Sequence, residues 1–154
     1  MAQRKGNSSS TIINRRARHD YQLKQNFMAG IMLSGPEVRS LRTGHGHLRG
    51  AFVNIKDDEL WLFNATITPT NTNKNALTEE NQTRPRKLLV KKRELNELLA
   101  AKTQGLTIIP TKLITNSKYI KIEIAIARGL KKYDKREKIK QRDTERDAKR
   151  TFKR

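Results

Sequence analysis

The sequence predicts a mainly β fold: a small antiparallel β-barrel with two or three helices packed on it, followed by a basic C-terminal tail that is disordered when free. Three observations predict it. Short apolar runs with a period of two recur between residues 21 and 127, and the cleanest of them sets Ile120, Ile122, Ile124 and Ile126 against Lys121, Glu123, Ala125 and Ala127. Between these runs stand two segments with helix start and stop signals. Residues 128–154 then hold thirteen Lys or Arg against five Asp or Glu and very little apolar, too little to offset the entropy of ordering their own backbone. The chain divides accordingly into a flexible arm (1–13), a body (14–129) and a tail (130–154), the body having room for one core.

Taken in order, residues 1–13 are polar, with Ser8, Ser9 and Ser10 together, and read as the arm. From Tyr21 to Leu33 the apolar residues Tyr21, Leu23, Phe27, Ile31 and Leu33 fall on odd positions, a strand exposed on one side, in which Gly30 is expected to mark a bulge or bend. In SGPEVRSLRTG, Ser34 or Gly35 can cap a helix, Pro36 suits its first turn, Glu37 its positive end, and Gly44 its C-terminal side. Val38 and Leu41 then face inward, leaving Arg39 and Arg42 outside. AFVNI and ELWLFNATI flank Lys56, Asp57, Asp58 and Glu59 as a hairpin. Residues 68–83, rich in Asn and Thr, read as a loop. Leu95, Leu98 and Leu99 make at least 92–103 an amphipathic helix ending at Gly105. LTIIPTKLIT and YIKIEIAIA form a second hairpin about Asn116, Ser117 and Lys118. No internal repeat is found.

The tail has a pattern of its own. Asp134 has Lys138 four residues on, Glu137 has Lys140 at three, Asp143 has Arg146, Glu145 has Lys149 and Asp147 has Arg150. Every acid has a base at helical spacing on its C-terminal side, the favourable orientation, so the tail is a latent helix. Its remaining charge of +8 calls for a polyanion to complete it.

The whole chain carries +19, and the first 127 residues still carry +11. Arginines and lysines fall into clusters at Arg15, Arg16 and Arg18, at Arg39, Arg42 and Arg49, at Arg84 to Arg93, and in the tail. A domain this basic with four clusters implies a phosphate backbone. Aromatic residues, at 5% of the chain, are too few for a stacking platform, so folded RNA read by shape and phosphate fits better than single-stranded bases. No stretch is apolar enough to span a membrane, no export signal is expected, and the tail lacks the apolar face of an interfacial helix. The absence of cysteine excludes disulfides and thiolate chemistry and fits a cytoplasmic protein. His19 beside Asp20, and His45 with His47, invite a metal or general-base reading, but neither pair brings the three or four convergent ligands a metal site needs. Asp57, Asp58 and Glu59 read as a solvated turn. No phosphate-cradling GxxxxGK[ST] or GxGxxG motif occurs, and no cofactor is expected.

NRRARHDY at 14–21, AGIMLSGPEVRSLRTG at 29–44, RPRKLLVKKREL at 84–95, GLTIIPTKL at 105–113 and ARGLKKYDKRE at 127–137 together resemble the SsrA-binding protein family, SmpB. The blocks stand in the family's order and cover nearly the whole chain. The resemblance implies an oligonucleotide-binding-like β-barrel and no enzymatic activity. It implies a cytoplasmic, monomeric partner of transfer-messenger RNA in trans-translation, which binds that RNA's transfer-RNA-like domain and delivers it to stalled ribosomes. It further implies that the tail enters the small-subunit decoding site and the empty mRNA channel and becomes helical there. Alanyl-tRNA synthetase and elongation factor Tu are implied as indirect partners through the RNA.

By the same resemblance, Asn14, Arg15, Arg16, Arg18 and His19 lie at the RNA face with Glu37, Ser40, Arg42 and Gly44. Glu37 either accepts base or 2′-hydroxyl protons or caps its helix. Arg86, Lys87 and Leu89 are a third patch, Leu89 being the one most readily read as core. In the tail, Gly129 allows the turn out of the barrel, Tyr133 offers a ring for stacking, Asp134, Lys135 and Arg136 form the DKR motif, and Lys131, Lys132, Lys138, Arg142 and Lys149 meet ribosomal RNA. The chain departs from the family pattern at Met28, where an acidic residue is common, and at Pro36, His45, His47, Leu130 and Tyr133. The competing class is a structural ribosomal protein, equally small, basic and tailed.

Overall fold

The structure, a computed structural model, describes residues 11–151. Nine strands and five helices follow one another as β1 (Thr11–Ile13), α1 (Arg15–Asp20), β2 (Tyr21–Ile31), α2 (Gly35–Arg42), β3 (Gly46–His47), β4 (Phe52–Lys56), β5 (Glu59–Phe63), β6 (Thr66–Ile67), α3 (Glu79–Gln82), β7 (Arg86–Leu89), α4 (Lys92–Thr103), β8 (Thr107–Ile114), β9 (Lys121–Gly129) and α5 (Lys132–Thr151). The large sheet runs β1-β8-β4-β5-β7-β2-β9, and β9 pairs back onto β8, which closes β8, β4, β5, β7, β2 and β9 into a ring. Closure removes the exposed edges that an open sheet of this size would present. It is weakest between β4 and β8, which share the single pair Val53↔Ile108. The predicted mainly β barrel is thus present, and three of the helices pack on it: α1 through Ala17, α2 through Leu41, and α4 through Leu98 and Ala101.

Pattern and packing agree where side chains alternate. Val53, Leu60, Leu62, Leu88, Ile108, Ile122, Ile124 and Ile126 point into one core. Ala125 and Ala127, on the other face of β9, are also buried; Ala127 joins Ala17 of α1 and Ile109 in a small second cluster. The β4–β5 hairpin turns on Asp57 and Asp58, both at positive φ (52° and 56°), the left-handed pair that a two-residue turn matching strand twist requires. The helix over residues 92–103 and the second hairpin stand where expected.

Several elements differ from the expectation. Thr11–Ile13 is a strand on β8, so the ordered body starts inside the segment read as a flexible arm; the rest of that arm, residues 1–10, lies outside the described residues. The bulge in β2 falls between Leu23 and Gln25, not at Gly30. Gly30 instead lets β7 approach closely, since a Cβ there would stand 3.3 Å from Leu89 Cβ. The 68–83 loop is held down by buried Asn73 and Leu77 and contains the single turn α3. Residues 132–151 form a helix with no buried side chain, as their charge spacing favours.

Candidate nucleic-acid interface

A buried ionic knot lies beneath the basic surface of α2. The Ser34 N–H donates to Glu37 Oε2 at 2.8 Å, closing a capping box at the start of the helix. Arg84 donates to both Glu37 oxygens, Nε to Oε1 at 2.9 Å and Nη2 to Oε2 at 2.7 Å, and Arg86 Nε reaches Oε1 at 3.0 Å. Glu37 and Arg86 are each 0% exposed. The remaining Arg86 donors go to the carbonyls of Ala65, Arg84, Asn81 and Gln82, so the guanidinium is fully used. Burial alone would push the Glu37 carboxyl up; the Arg84 hydrogen bond, the Ser34 N–H and the Arg86 charge outweigh it and hold it below the usual carboxylate range. Burial lowers the Arg86 guanidinium somewhat, against the pull of Glu37, and leaves it charged at neutral pH. Beside the knot, Asn73 Nδ2 donates to the Pro36 carbonyl and to Ser40 Oγ, tying the 68–83 loop to α2. What this scaffold holds outward is the exposed pair Arg39 and Arg42, the latter also donating to the Lys118 carbonyl at 2.9 Å.

The second basic surface is α1. Asn14 anchors it: its backbone N–H donates to the Thr111 carbonyl and its side chain to the Pro110 carbonyl, at the bulge in β8. The bulge frees those carbonyls from the ladder, and Ala17 then packs on Ile109 and Ala127. Arg15, Arg16, Arg18 and His19 are left exposed on a short, rigidly seated helix. His19 Nδ1 donates to Asp20 Oδ1 at 2.9 Å, and this hydrogen bond above all holds the Asp20 carboxyl below its ordinary value, opposed by burial and assisted by Lys135.

The tail helix leaves the barrel at this same corner. The Leu130 N–H donates to the Asp20 carbonyl at 3.0 Å, Lys135 Nζ lies 3.2 Å from Asp20 Oδ1, and Lys138 Nζ reaches the Arg18 carbonyl at 3.4 Å. Asp134 of the DKR motif accepts from the Lys131 N–H and so caps the first turn of α5. Tyr133 is 69% exposed, and its hydroxyl is raised by a hydrogen bond to Glu137 one turn on. Lys131, Lys132, Arg136, Lys138, Arg142 and Lys149 are all exposed along the helix.

The expected RNA-face residues therefore separate into two groups. Arg15, Arg16, Arg18, His19 and Arg42 are displayed, and Gly44, at φ +82°, ends α2 in the left-handed conformation. Glu37, Ser40 and Arg86 are wholly buried, and Asn14 nearly so, each spent on internal hydrogen bonds beneath the displayed residues. Lys87 is half-buried and paired with Glu59. Leu89, which the sequence favours as core, is 52% exposed, since Leu88 takes the inward position on β7. Sequence reasoning missed Arg84 and Asn73 as members of this scaffold; no local signal marks either, as Arg84 meets Glu37 across 47 residues and Asn73 meets Pro36 and Ser40 across 37 and 33. Among the described residues no group of three or more His, Asp or Glu is placed to hold a metal. No helix among them is long and apolar enough to cross a membrane.

A barrel that displays arginines from two rigidly seated helices and carries a further basic helix from the same corner is a nucleic-acid-binding protein by its surface, whatever its fold alone would allow. The family model described as "SmpB protein" matches residues 11–154. The chain is 44% identical over 142 residues to an SsrA-binding protein of Chloroflexus aggregans, covering 92% of this chain and 89% of that one. It is also 44% identical to one of Pseudomonas entomophila, covering 99% and 96%. A solved structure described as "tmRNA-SmpB: a journey to the center of the bacterial ribosome" superposes with a TM-score of 0.66 at 39% identity, covering 84% of this chain and 94% of that one. The chain belongs to the SmpB family, a family of RNA-binding proteins and not of enzymes.

Proposed function

We propose that this protein binds transfer-messenger RNA and works in trans-translation, the rescue of ribosomes stalled on messages that lack a usable stop codon. The body, residues 14–129, binds the transfer-RNA-like domain of that RNA. The tail, residues 130–154, enters the decoding site and empty mRNA channel of the small subunit, where its helix is completed by ribosomal RNA. The protein is cytoplasmic and monomeric, makes and breaks no bond, and meets alanyl-tRNA synthetase and elongation factor Tu only through the RNA. The observation that carries this reading is the family match across both parts, joined to relatives named for binding SsrA and a solved relative whose description couples tmRNA-SmpB to the bacterial ribosome.

The geometry supports a division of labour. The exposed arginines of α1 and α2 sit on the barrel, whereas α5 projects with no buried side chain and is tied to the body near Asp20 and Arg18. Two surfaces so placed can meet two RNAs. Binding through phosphates displaces counterions, so affinity falls by about 0.7 to 0.9 log units per contacted phosphate for each log unit of salt. A gel shift with the transfer-RNA-like domain, competed with bulk transfer RNA, tests the proposal. Preference for the transfer-RNA-like domain is expected; equal affinity for the two RNAs overturns it in favour of a general or ribosomal RNA-binding protein.

A further inference from the structure

Half of the chain's eight aromatic side chains gather on one side of the barrel. On β4 and β5 the inward positions are Val53, Leu60 and Leu62, which puts Phe52, Trp61 and Phe63 on the outer face. Phe52 and Phe63 are a cross-strand pair, their rings stacked with centroids 5.3 Å apart and planes 14° from parallel. Trp61 is the diagonal neighbour of Phe52 on the same face. The stack is not covered: Phe52 remains 40% exposed. On its other side Phe52 lines a groove of about 340 Å³ between α1 and the starts of β4 and β8. Tyr21, Ala17 and Ile109 share its lining, and α1 contributes Arg16 together with the carboxylate of Asp20, which is engaged by His19 and Lys135.

We infer that this groove is a site for an unpaired nucleobase of RNA, stacked on Phe52, with Arg16 at the adjoining phosphate; the inference rests on the RNA-binding reading and names a second mode of contact for it. The chemistry is that of single-strand recognition on oligonucleotide-binding barrels, in which an aromatic ring takes a base face and a neighbouring cation takes the backbone. Aromatic content of 5% argues against a platform for many bases, but their clustering supplies one position. A flat apolar wall beside an arginine, in a chain of net charge +19, matches a base joined to a phosphate better than a neutral apolar partner.

The full chain titrated with hexaadenylate tests this, with Trp61, its single tryptophan, as the fluorescent reporter and inorganic polyphosphate as a polyanion without bases. Expected are saturable quenching by hexaadenylate, little by polyphosphate, and affinity for hexaadenylate about tenfold weaker in Phe52→Leu. Tyr21→Leu, which alters another lining residue of the groove and leaves the hairpin pair untouched, is expected to weaken it in the same way. Equal quenching by polyphosphate, or unchanged affinity in both variants, overturns the site. If the transfer-RNA-like domain is still shifted when that happens, the stacking site alone is wrong; if neither RNA is bound, the RNA-binding reading falls and takes this inference with it.

Discussion

Two regions of this molecule are dense in opposite charges, and they use them in opposite ways. Beneath α2, Glu37, Arg84 and Arg86 form a knot in which Glu37 and Arg86 are removed from solvent and every buried donor has an acceptor. Along α5, acids and bases alternate at helical spacing with no side chain buried. The knot specifies one geometry, because a buried charge without its partner costs several kcal/mol. The exposed pairs only tilt a local equilibrium by about 0.2 to 0.5 kcal/mol each, and they remain available to a polyanion. One set of charges fixes the frame beneath a displayed surface; the other is itself displayed.

The comparison breaks most decisively in the knot. Arg86→Met removes the guanidinium that Glu37 and the carbonyls of Ala65, Asn81 and Gln82 share. A loss of about 3 to 5 kcal/mol is expected in chemical denaturation. A loss under about 1 kcal/mol would mean that the knot is as weak as a surface pair.

Deleting the tail after Gly129 should have the reverse profile. Body stability and affinity for the transfer-RNA-like domain stay nearly intact, and tagging on stalled ribosomes is abolished. Tagging by the truncated chain would refute the division between body and tail.

These contrasts also mark what a reader of the sequence can and cannot see. The α4 helix, both hairpins and the α2 caps were legible because each is written in local signals: leucine spacing, alternating isoleucines, the Asp57–Asp58 turn, and Ser34 with Glu37 three residues on. Helix α1 was not, because RRARHD has no capping pattern and one buried residue, and its seat is the distant bulge in β8. Strand β7 was hidden likewise, its leucines running straight into those of α4. Arg86 was assigned to the RNA surface by the family resemblance and by its place in a basic cluster. Only the meeting of β7 with α2, forty-nine residues apart, shows that it is core.

A smaller effect separates the two kinds of charge in solution. Arg18→Ala on α1 should lower the salt slope for the transfer-RNA-like domain by about 0.7 to 0.9, one phosphate contact. Lys149→Ala near the end of α5 should leave that slope unchanged. Equal changes would place the tail on the same RNA as the body.

The smallest expected effect lies where the two regions touch. Asp20 joins them: it accepts from His19 on α1 and from Lys135 on α5, and its backbone carbonyl holds the Leu130 N–H. The Lys135 pair is partly exposed, so it contributes about 0.2 to 1 kcal/mol and is screened by salt. Because the hydrogen bond from His19 lowers the folded Asp20 pKa, the stabilising contribution is fully present above the ordinary aspartate value and is lost as pH falls through the lower, folded one. Asp20→Asn should therefore lower the amide-exchange protection of residues 131–138, taken relative to the intrinsic rate at the same pH, a few-fold at neutral pH, and acidification below the aspartate range should lower that protection likewise in the unaltered chain. The backbone bond from Leu130 survives both changes, so its own exchange should move less. If the substitution leaves residues 131–138 as protected as before, α5 is held by its own helical pairs and not by the corner at Asp20.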